Sequence, residues 1–339
     1  MPPHTHPLAF GTERRVEAAI RSVLPRSATL EVVKMPLAPE FRVNGTTLRP
    51  IWVREGSLPQ VRALLRRRPR PNLVVARRMS PGAREALSAA DVGWLDEGGA
   101  AEIAIDSLVI SRSSRSTAVS DRDPRWTPGV LAVAEALLCG VHATVEVMVR
   151  VTGLSAGTCT YALRMLTDLG LLVATARRGR ASGRQMAEHS ALLDAYASAA
   201  ADLARGPTLR VGVLWNDMVE DLARAGRRWK LSGHSWAATG VIAASVTAPF
   251  LSSVTTADVY VDARSIATLE AVAAEIDLRP SDGGRLVLKP FPTATTRRLA
   301  DETRRLRVAP WPRVYADLRT IGVRGEEAAE HLREVVLAR

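Results

Sequence analysis

LSAGTCTYALRMLTDLGLL, residues 154–172, contains the clearest local signals in the chain. Its apolar residues recur every three or four positions, which predicts an amphipathic helix over 154–169. Ser155 stands at the N-cap position, where a hydroxyl can accept a free backbone amide of the first turn. Gly170 is typical of a helix end, and the apolar residues after it predict a short strand.

The neighbouring residues complete a helix-turn-helix pattern. A shorter amphipathic helix is predicted over 145–151, and Gly153 lies in the turn that follows it. Downstream, the segment 174–185 (ATARRGRASGRQ) holds four arginines, two glycines and no acidic residue, which is typical of a basic wing. Helix, turn, capped helix, strand and basic loop follow in the order of a winged helix-turn-helix. The pattern resembles the winged domains of bacterial regulators of the MarR type over residues 125–200.

This resemblance implies that the second helix enters the major groove of duplex DNA. We expect its exposed face to contact bases, where Arg164 can pair bidentately with guanine, and the wing to contact phosphates or the minor groove. The alternative is a helical hairpin that serves only packing. The residues predicted to contact DNA are Ser155, Gly157, Thr158, Tyr161 and Arg164 on the helix, and Arg177, Arg178, Arg180 and Arg184 on the wing.

The composition favours a globular protein with a polyanionic partner. The 339 residues are 47% hydrophobic and carry a formal net charge of +11. This charge favours nucleic acid as the partner, and an arginine-rich composition from a GC-rich genome is the alternative explanation. Two cysteines in apolar helical patterns, no long apolar run and no secretory leader predict a cytoplasmic protein without disulfides or membrane spans. The six histidines lack zinc-ligand spacing, so we expect no metal or cofactor.

Residues 10–112 alternate apolar strands with helices, which predicts an α/β layer domain. The predicted order is α, β, β, α, β, α, β, β, with one strand over 47–55. This order and the text of residues 72–103 (NLVVARRMSPGAREALSAADVGWLDEGGAAEI) resemble the restriction-endonuclease-like fold of Mrr-type and PD-(D/E)xK nucleases. The resemblance implies an Asp and a Glu-x-Lys or Gln-x-Lys pair on adjacent strands, which hold Mg²⁺ and activate water. At the place of that pair the chain has Trp52-Val53-Arg54, so we expect a degenerate domain without nuclease activity.

Two further features of this domain bear on function. Asp96, Glu97 and Glu102 are close in sequence, and the turn chemistry of DEGG is the alternative to a metal site there. Most of the chain's excess positive charge lies in residues 1–120. Arginines at helix ends are favourable against the helix dipole, and a phosphate-binding surface is the sharper interpretation. Its candidate residues for single-stranded DNA or phosphate are Trp52, Arg54, Arg66, Arg67, Arg68, Arg77 and Arg78.

The C-terminal third carries a second resemblance. Residues 113–126 are polar, rich in serine and predicted to form a linker, and a helix over 190–204 is expected either to pair in a dimer or to bridge to the next domain. Residues 207–339 resemble the C-terminal region of AbiEi-family, type IV antitoxin-like regulators. The matching positions are Val314, Tyr315, Asp317, Leu318, Arg324, Gly325, Glu327, Ala328, Glu330, Leu332 and Arg333.

The sequence therefore predicts a multidomain α/β protein. Its predicted parts are a degenerate restriction-endonuclease-like domain (10–112), a linker (113–126), a winged helix-turn-helix (127–205) and an α+β AbiEi-like domain (207–339). We expect a transcriptional regulator, not an enzyme, that binds a double-stranded operator. Single-stranded or damaged DNA is its candidate signal, and a homodimer its candidate assembly. The alternatives are the antitoxin of an AbiE-type toxin–antitoxin pair and an active DNA nuclease.

Overall fold

The chain is a mixed α/β protein that divides into two compact units. The computed structural model describes residues 10–25, 27–33, 40–106, 108–112, 126–174, 183–203, 206–250 and 254–338. Unit 1 comprises residues 1–123 and 321–326, and unit 2 comprises residues 124–320 and 327–339. Within the described residues, no helix has both the length and the apolar character that crossing a membrane requires.

Unit 1 contains two sheets. Its elements in chain order are α1 (Phe10–Val23), β1 (Leu30–Val33), β2 (Glu40–Val43), β3 (Thr46–Leu48), β4 (Pro50–Val53), α2 (Leu58–Leu65), β5 (Leu73–Ala76), α3 (Pro81–Ser88), β6 (Gly93–Asp96), β7 (Ala101–Ile105) and β8 (Leu108–Arg112). β1, β2 and β3 form an antiparallel sheet. β4 to β8 form the second sheet in chain order, parallel from β4 to β6 and antiparallel from β6 to β8. One apolar cluster joins the sheets to α1, and another joins the second sheet to α2 and α3.

The strand predicted over 47–55 is divided between the two sheets. β3 ends at Leu48 and β4 begins at Pro50, which has no amide hydrogen to donate to a ladder. The Asn72 side chain fixes this break, because its Oδ1 accepts the Arg49 amide at 2.6 Å and its Nδ2 donates to the Thr47 carbonyl at 2.8 Å. The sequence analysis also missed β2 and β8, so the predicted order of elements was incomplete.

A buried carboxylate completes unit 1. The side chain of Glu326, which is 1% exposed, accepts hydrogen bonds from the Leu58 amide (3.1 Å), the Ser80 hydroxyl (2.9 Å) and the Gly82 amide (2.8 Å). These donors lie at the amino termini of α2 and α3, where backbone amides have no helical partner and the dipoles favour an anion. Glu326 therefore provides a partner for one free amide at the start of each helix.

Unit 2 combines a winged helical part with a large sheet. Its elements are α4 (Pro128–Leu138), α5 (Val145–Thr152), α6 (Ala156–Asp168), β9 (Leu172–Ala174), β10 (Arg184–Met186), α7 (His189–Asp202), β11 (Leu209–Gly212), α8 (Met218–Leu231), β12 (Trp236–Thr239), α9 (Gly240–Thr247), β13 (Ala257–Val261), α10 (Ile266–Ala274), β14 (Arg279–Pro280), β15 (Leu286–Pro290), α11 (Ala294–Leu299), β16 (Asp301–Thr303), β17 (Leu306–Val308), α12 (Trp311–Leu318) and, from residue 327 onward, α13 (Val323–Leu337). The sheet has the order β14-β11-β15-β13-β12-β17-β16.

One continuous apolar core runs through unit 2 from α4 to α13. The predicted parts 127–205 and 207–339 both contribute to it, so the boundary between them does not separate two compact bodies. α7 explains why: Leu192, Leu193 and Tyr196 are buried, and the helix packs against α4 and α12. This helix was predicted either to pair in a dimer or to bridge to the next domain. In the structure it bridges α4 and the C-terminal helix α12.

Two local predictions in unit 2 were wrong. The pattern of residues 229–240 (WKLSGHSWAATG) predicts a capped helix that starts at Ser232 or Ser235. In the structure, Ser232 caps the end of α8, and residues 236–239 form the buried strand β12. The pattern of residues 311–337 predicts two closing helices around a turn at 322–325. The turn is shorter, because Gly325 already lies within α13.

Candidate nucleic-acid interface

The helix-turn-helix of α5 and α6 has the caps that its sequence predicts. Gly153 ends α5 with a φ of +71°, a left-handed conformation that glycine adopts without steric cost. The Ser155 hydroxyl then accepts the Thr158 amide at 3.2 Å and starts α6. The turn between the two helices is thus defined by three consecutive residues, Gly153 to Ser155.

α6 buries one face in the core and exposes the other. Its buried residues are Cys159, Ala162, Leu163, Met165 and Leu166. On the opposite face, Gly157, Thr160, Tyr161 and Arg164 are exposed, and the Tyr161 side chain is 49% exposed. These four positions follow one another at helical spacing, so they form one continuous surface. We call this surface the α6 face.

The structure assigns two of the predicted contact residues to the cap instead of the α6 face. The Ser155 hydroxyl lies 2.9 Å from the Thr158 hydroxyl in addition to accepting its amide. Thr158 is half-buried, and its methyl group packs toward Gly129 of α4. Thr160 was not predicted, although its position three residues after Gly157 and four before Arg164 places it on the α6 face.

Arg164 is held only weakly within α6. Its Nε lies 3.8 Å from Oδ2 of Asp168, and the two side chains are 77% and 70% exposed. Exposed ion pairs of this kind stabilise a helix by a few tenths of a kcal/mol, roughly 0.3–0.5 kcal/mol. The guanidinium can therefore leave Asp168 for a stronger acceptor at small cost.

The wing begins as an antiparallel pair of strands beside α6. β9 and β10 pair in register from Leu172 with Met186 to Ala174 with Arg184. Arg184 is half-buried, and its Nε donates to the Thr167 hydroxyl of α6 at 3.1 Å. This bond connects the second wing strand to the end of α6. The predicted wing contacts Arg177, Arg178 and Arg180 lie outside the described residues.

In unit 1 the predicted arginine surface is split between two edges of the second sheet. Arg54 and Arg77 follow the carboxyl ends of the parallel strands β4 and β5 and are exposed, and the Arg77 amide donates to the Arg54 carbonyl at 3.3 Å. Half-buried Arg78 follows at the same edge. The exposed residues 66–68 follow α2, whose end leads back to the amino edge of the sheet. A four-residue strand, about 13 Å long, separates the two edges.

The remaining predicted ligands of unit 1 have internal partners. The Trp52 side chain is half-buried, and the Arg15 guanidinium lies 5.4 Å from its ring centre, which disfavours base stacking on that face. Asp96 is 3% exposed; its carboxylate pairs with Arg84 at 3.1 Å and accepts the Ala100 amide at 3.1 Å.

The other two acidic candidates also have partners. Glu97 pairs with Arg15 at 3.1 Å, and Glu102 accepts a hydrogen bond from Ser88 at 2.9 Å. Among the described residues, no three acidic, histidine or cysteine side chains are grouped as a metal site would require. These acids stabilise local structure in unit 1.

Behind the helix-turn-helix lies a buried carboxylate that sequence analysis missed. Glu135 of α4 is 1% exposed, and its Oε2 accepts hydrogen bonds from the Tyr196 hydroxyl (2.5 Å) and the Thr296 hydroxyl (3.0 Å). Its Oε1 is buried without a hydrogen-bond partner. Burial raises the pKa of this carboxyl to about 7, although both hydroxyls and the positive charge of Arg313 oppose the change. A single acidic residue in an apolar helical pattern gave no local signal of this arrangement.

The pKa of a second buried carboxyl, that of Asp317, is shifted in the opposite direction. Asp317 of α12 accepts hydrogen bonds from Thr239 (2.5 Å) and Tyr260 (2.6 Å) and forms an ion pair with Arg313. Burial alone would raise the pKa of Asp317, but the charge of Arg313 and the hydrogen bonds from Arg313, Thr239 and Tyr260 together outweigh it and hold this pKa below its ordinary value. The pKa of Glu135 is thus raised and that of Asp317 lowered, and Asp317 differs from Glu135 in having a cation in contact.

The two cysteines are free thiols in this part of unit 2. Cys159 is buried in α6, whereas Cys139, at the end of α4, is half-buried. Comparison with protein-family models, curated proteins and solved structures finds no match to this chain.

Proposed function

We propose that the chain is a sequence-specific DNA-binding transcriptional regulator that uses the α6 face to contact an operator. The observation that carries the proposal is the combination of a capped helix-turn-helix with a continuous exposed row of Gly157, Thr160, Tyr161 and Arg164. A helix of this kind, exposed on one face and fixed on the other, suits insertion into the major groove.

The chemistry of the α6 face supports base contacts. Gly157 lets the backbone approach the duplex closely, and Thr160 and Tyr161 offer hydroxyl groups for bases or phosphates. Arg164 offers a guanidinium that fits the O6 and N7 acceptors of guanine. Because Asp168 binds it only at long range, this side chain is free to make that contact. The net charge of +11 adds favourable long-range attraction to the phosphate backbone.

The test begins with selection of bound sequences from a library of random duplexes, using the full chain. We expect one sequence to be enriched, and Arg164→Ala to weaken its binding by about 1–3 kcal/mol while relaxing preference at one base position. Arg178→Ala, in the basic segment that the sequence predicts to form the wing, should weaken all sequences alike and flatten the salt dependence. With Mg²⁺ present, the DNA should stay intact.

Arg224→Ala is the matched control. Arg224 is 70% exposed on α8 and pairs within its helix with Asp221, so like Arg164 it is an exposed helical arginine with an acidic partner on its own helix. Its replacement should leave binding unchanged. A library without enrichment, or selected duplexes that Arg164→Ala binds as tightly as the wild type, would contradict the proposal.

A further inference from the structure

An open cleft of about 750 Å³ lies in unit 2 at the carboxyl ends of two neighbouring parallel strands, β13 and β15. Its walls come from the residues after these strands, from α10 and from α11. This volume is within the range of small-molecule sites, and the carboxyl end of parallel strands is a common place for them in α/β proteins.

One part of the cleft is apolar and rigid. Phe291, Pro207, Pro290 and Pro292 line it. Phe291 packs against Tyr260, with ring centres 5.8 Å apart. Proline rings and a fixed aromatic ring lose little conformational freedom when a flat ligand packs on them. This part is suited to a planar ring.

The other part is basic. Two arginines, Arg264 and Arg297, and one carboxylate, Asp262, line the cleft, so positive charges outnumber negative ones there. Asp262 is already occupied, because its Oδ1 pairs with Arg297 at 3.1 Å and its Oδ2 accepts the Ser235 amide at 3.1 Å. Arg264 is exposed and has no ion-pair partner among the described residues. Guanidinium groups bind phosphate through paired hydrogen bonds, so this part is suited to a phosphate group.

α11 connects the cleft with the helix-turn-helix through three consecutive residues. Arg297 faces the cleft. Thr296 donates to the buried Glu135 of α4 at 3.0 Å. The Arg298 guanidinium lies against Gly153, the residue that ends α5, so closely that a Cβ at Gly153 would collide with it. The two neighbours of Arg297 in the chain, Thr296 and Arg298, thus contact α4 and the end of α5, so a movement of Arg297 can reach both elements.

We propose that this cleft binds a nucleoside monophosphate, with the base against Phe291 and the prolines and the phosphate on Arg264 and Arg297. Binding shifts the helix-turn-helix through α11, because a phosphate competes with Asp262 for Arg297. The regulatory part rests on the proposed DNA-binding function, whereas ligand binding does not. The ligand changes operator affinity only by the difference in its affinity for the free and DNA-bound conformations, and the coupling is reciprocal.

The first experiment is calorimetric titration of the full chain with AMP, GMP, CMP and UMP, and with adenosine and inorganic phosphate. We expect saturable binding of at least one nucleotide, tighter by at least about tenfold than that of adenosine or phosphate. Arg264→Gln alone, and Arg264→Gln with Arg297→Gln, should each weaken that binding by about tenfold or more. The control pair Arg227→Gln with Arg304→Gln, which lines no part of the cleft, should bind as the wild type does. No nucleotide binding below about 1 mM, or binding that Arg264→Gln leaves unchanged, would overturn the proposal.

The second experiment measures coupling without DNA. Amide hydrogen exchange of residues 145–160 is followed with and without the bound nucleotide, and we expect altered protection in the turn at Gly153. Unaltered exchange there, with nucleotide bound, would overturn the connection through α11. A chain that binds nucleotide and changes this exchange but selects no duplex would instead refute the proposed function.

Discussion

The hydroxyl of Tyr196 in α7 lies 2.5 Å from Oε2 of Glu135 in α4, in a place closed to solvent. This bond connects the first and last helices of the winged part. The Thr296 hydroxyl of α11 meets the same oxygen, so one atom joins three helices. The strength of these hydrogen bonds depends on whether the Glu135 carboxyl is protonated. Its other oxygen, Oε1, has no hydrogen-bond partner.

Glu135→Gln is expected to stabilise the protein at neutral and alkaline pH and to have little effect near pH 5. Burial raises the pKa of Glu135 from 4.5 to about 7, so the folded state retains a proton that the unfolded state releases. The stability that this proton provides is complete below pH 4.5 and is lost as pH rises through 7, by about 3 kcal/mol in total. Glutamine keeps an acceptor for Tyr196 and Thr296 without the charge.

The measurement is the difference in melting temperature between Glu135→Gln and wild type from pH 5 to 8. Taking the difference removes the contributions of other titrating groups, among them Asp317. Glu302→Gln at an exposed position is the control and should show no such trend. A difference that stays constant over this range would contradict the assignment.

Two glycine-to-alanine substitutions in helices are expected to have opposite effects. Gly226 of α8 faces Trp236, and a Cβ at this position would overlap the rigid indole ring. Gly226→Ala should therefore destabilise by about 1–3 kcal/mol, despite the better helix propensity of alanine. Gly157→Ala on the α6 face has nothing nearer than 3.9 Å and should stabilise by about 0.5–1 kcal/mol. Urea unfolding followed by circular dichroism would measure the change in the free energy of unfolding for both variants. A stabilised Gly226→Ala would contradict the predicted overlap with Trp236, and a destabilised Gly157→Ala would contradict the open position on the α6 face.

Glu326→Gln is expected to destabilise unit 1 by about 2 kcal/mol or more. The amide that replaces one oxygen cannot accept from the donors at the starts of α2 and α3, so at least one buried donor loses its partner. Glu334→Gln, on the exposed part of the same helix, serves as the control and should change stability by less than about 0.5 kcal/mol. Thermal unfolding measures both variants, and equal stabilities would show that Glu326 contributes nothing specific.

Single-stranded DNA binding by unit 1, if present, should depend on one edge of its second sheet. Arg54→Gln with Arg77→Gln removes two neighbouring exposed charges at the carboxyl edge, and should weaken binding of a labelled single strand about fivefold. Arg66→Gln with Arg67→Gln removes the same charge at the amino edge and should have the smaller effect. Fluorescence anisotropy on the full chain at physiological salt tests this. No binding by the wild type, or equal losses in both pairs, would discard the prediction.

Local sequence signals were sufficient where the contacts are local. Gly153, Ser155 and Gly170 marked the limits of α5 and α6, because caps and turns depend on residues a few positions apart. Long-range contacts were out of reach. The division of the strand at Pro50 depends on Asn72, and the half-buried position of Thr158 depends on Gly129, and neither neighbour is close in sequence.

The site was predictable to the same extent and for the same reason. Helical spacing located the α6 face and Arg164, but it could not show that Ser155 and Thr158 use their side chains on each other. The grouping of arginines in unit 1 failed as a single surface, because a helix between parallel strands returns the chain to the opposite edge of the sheet. Glu135 gave no signal, since its partners are 61 and 161 positions away.

Because unit 2 has one continuous core, its winged part cannot be exchanged as an independent domain. α4 and α7 cover apolar side chains of α11 and α12. Excising residues 127–205 would therefore leave exposed hydrophobic patches on both fragments. Under the proposed function, a chimera with a new operator preference should therefore be built by replacing the exposed residues of the α6 face alone. Replacement of the whole helical segment would need compensating changes in the sheet-bearing half.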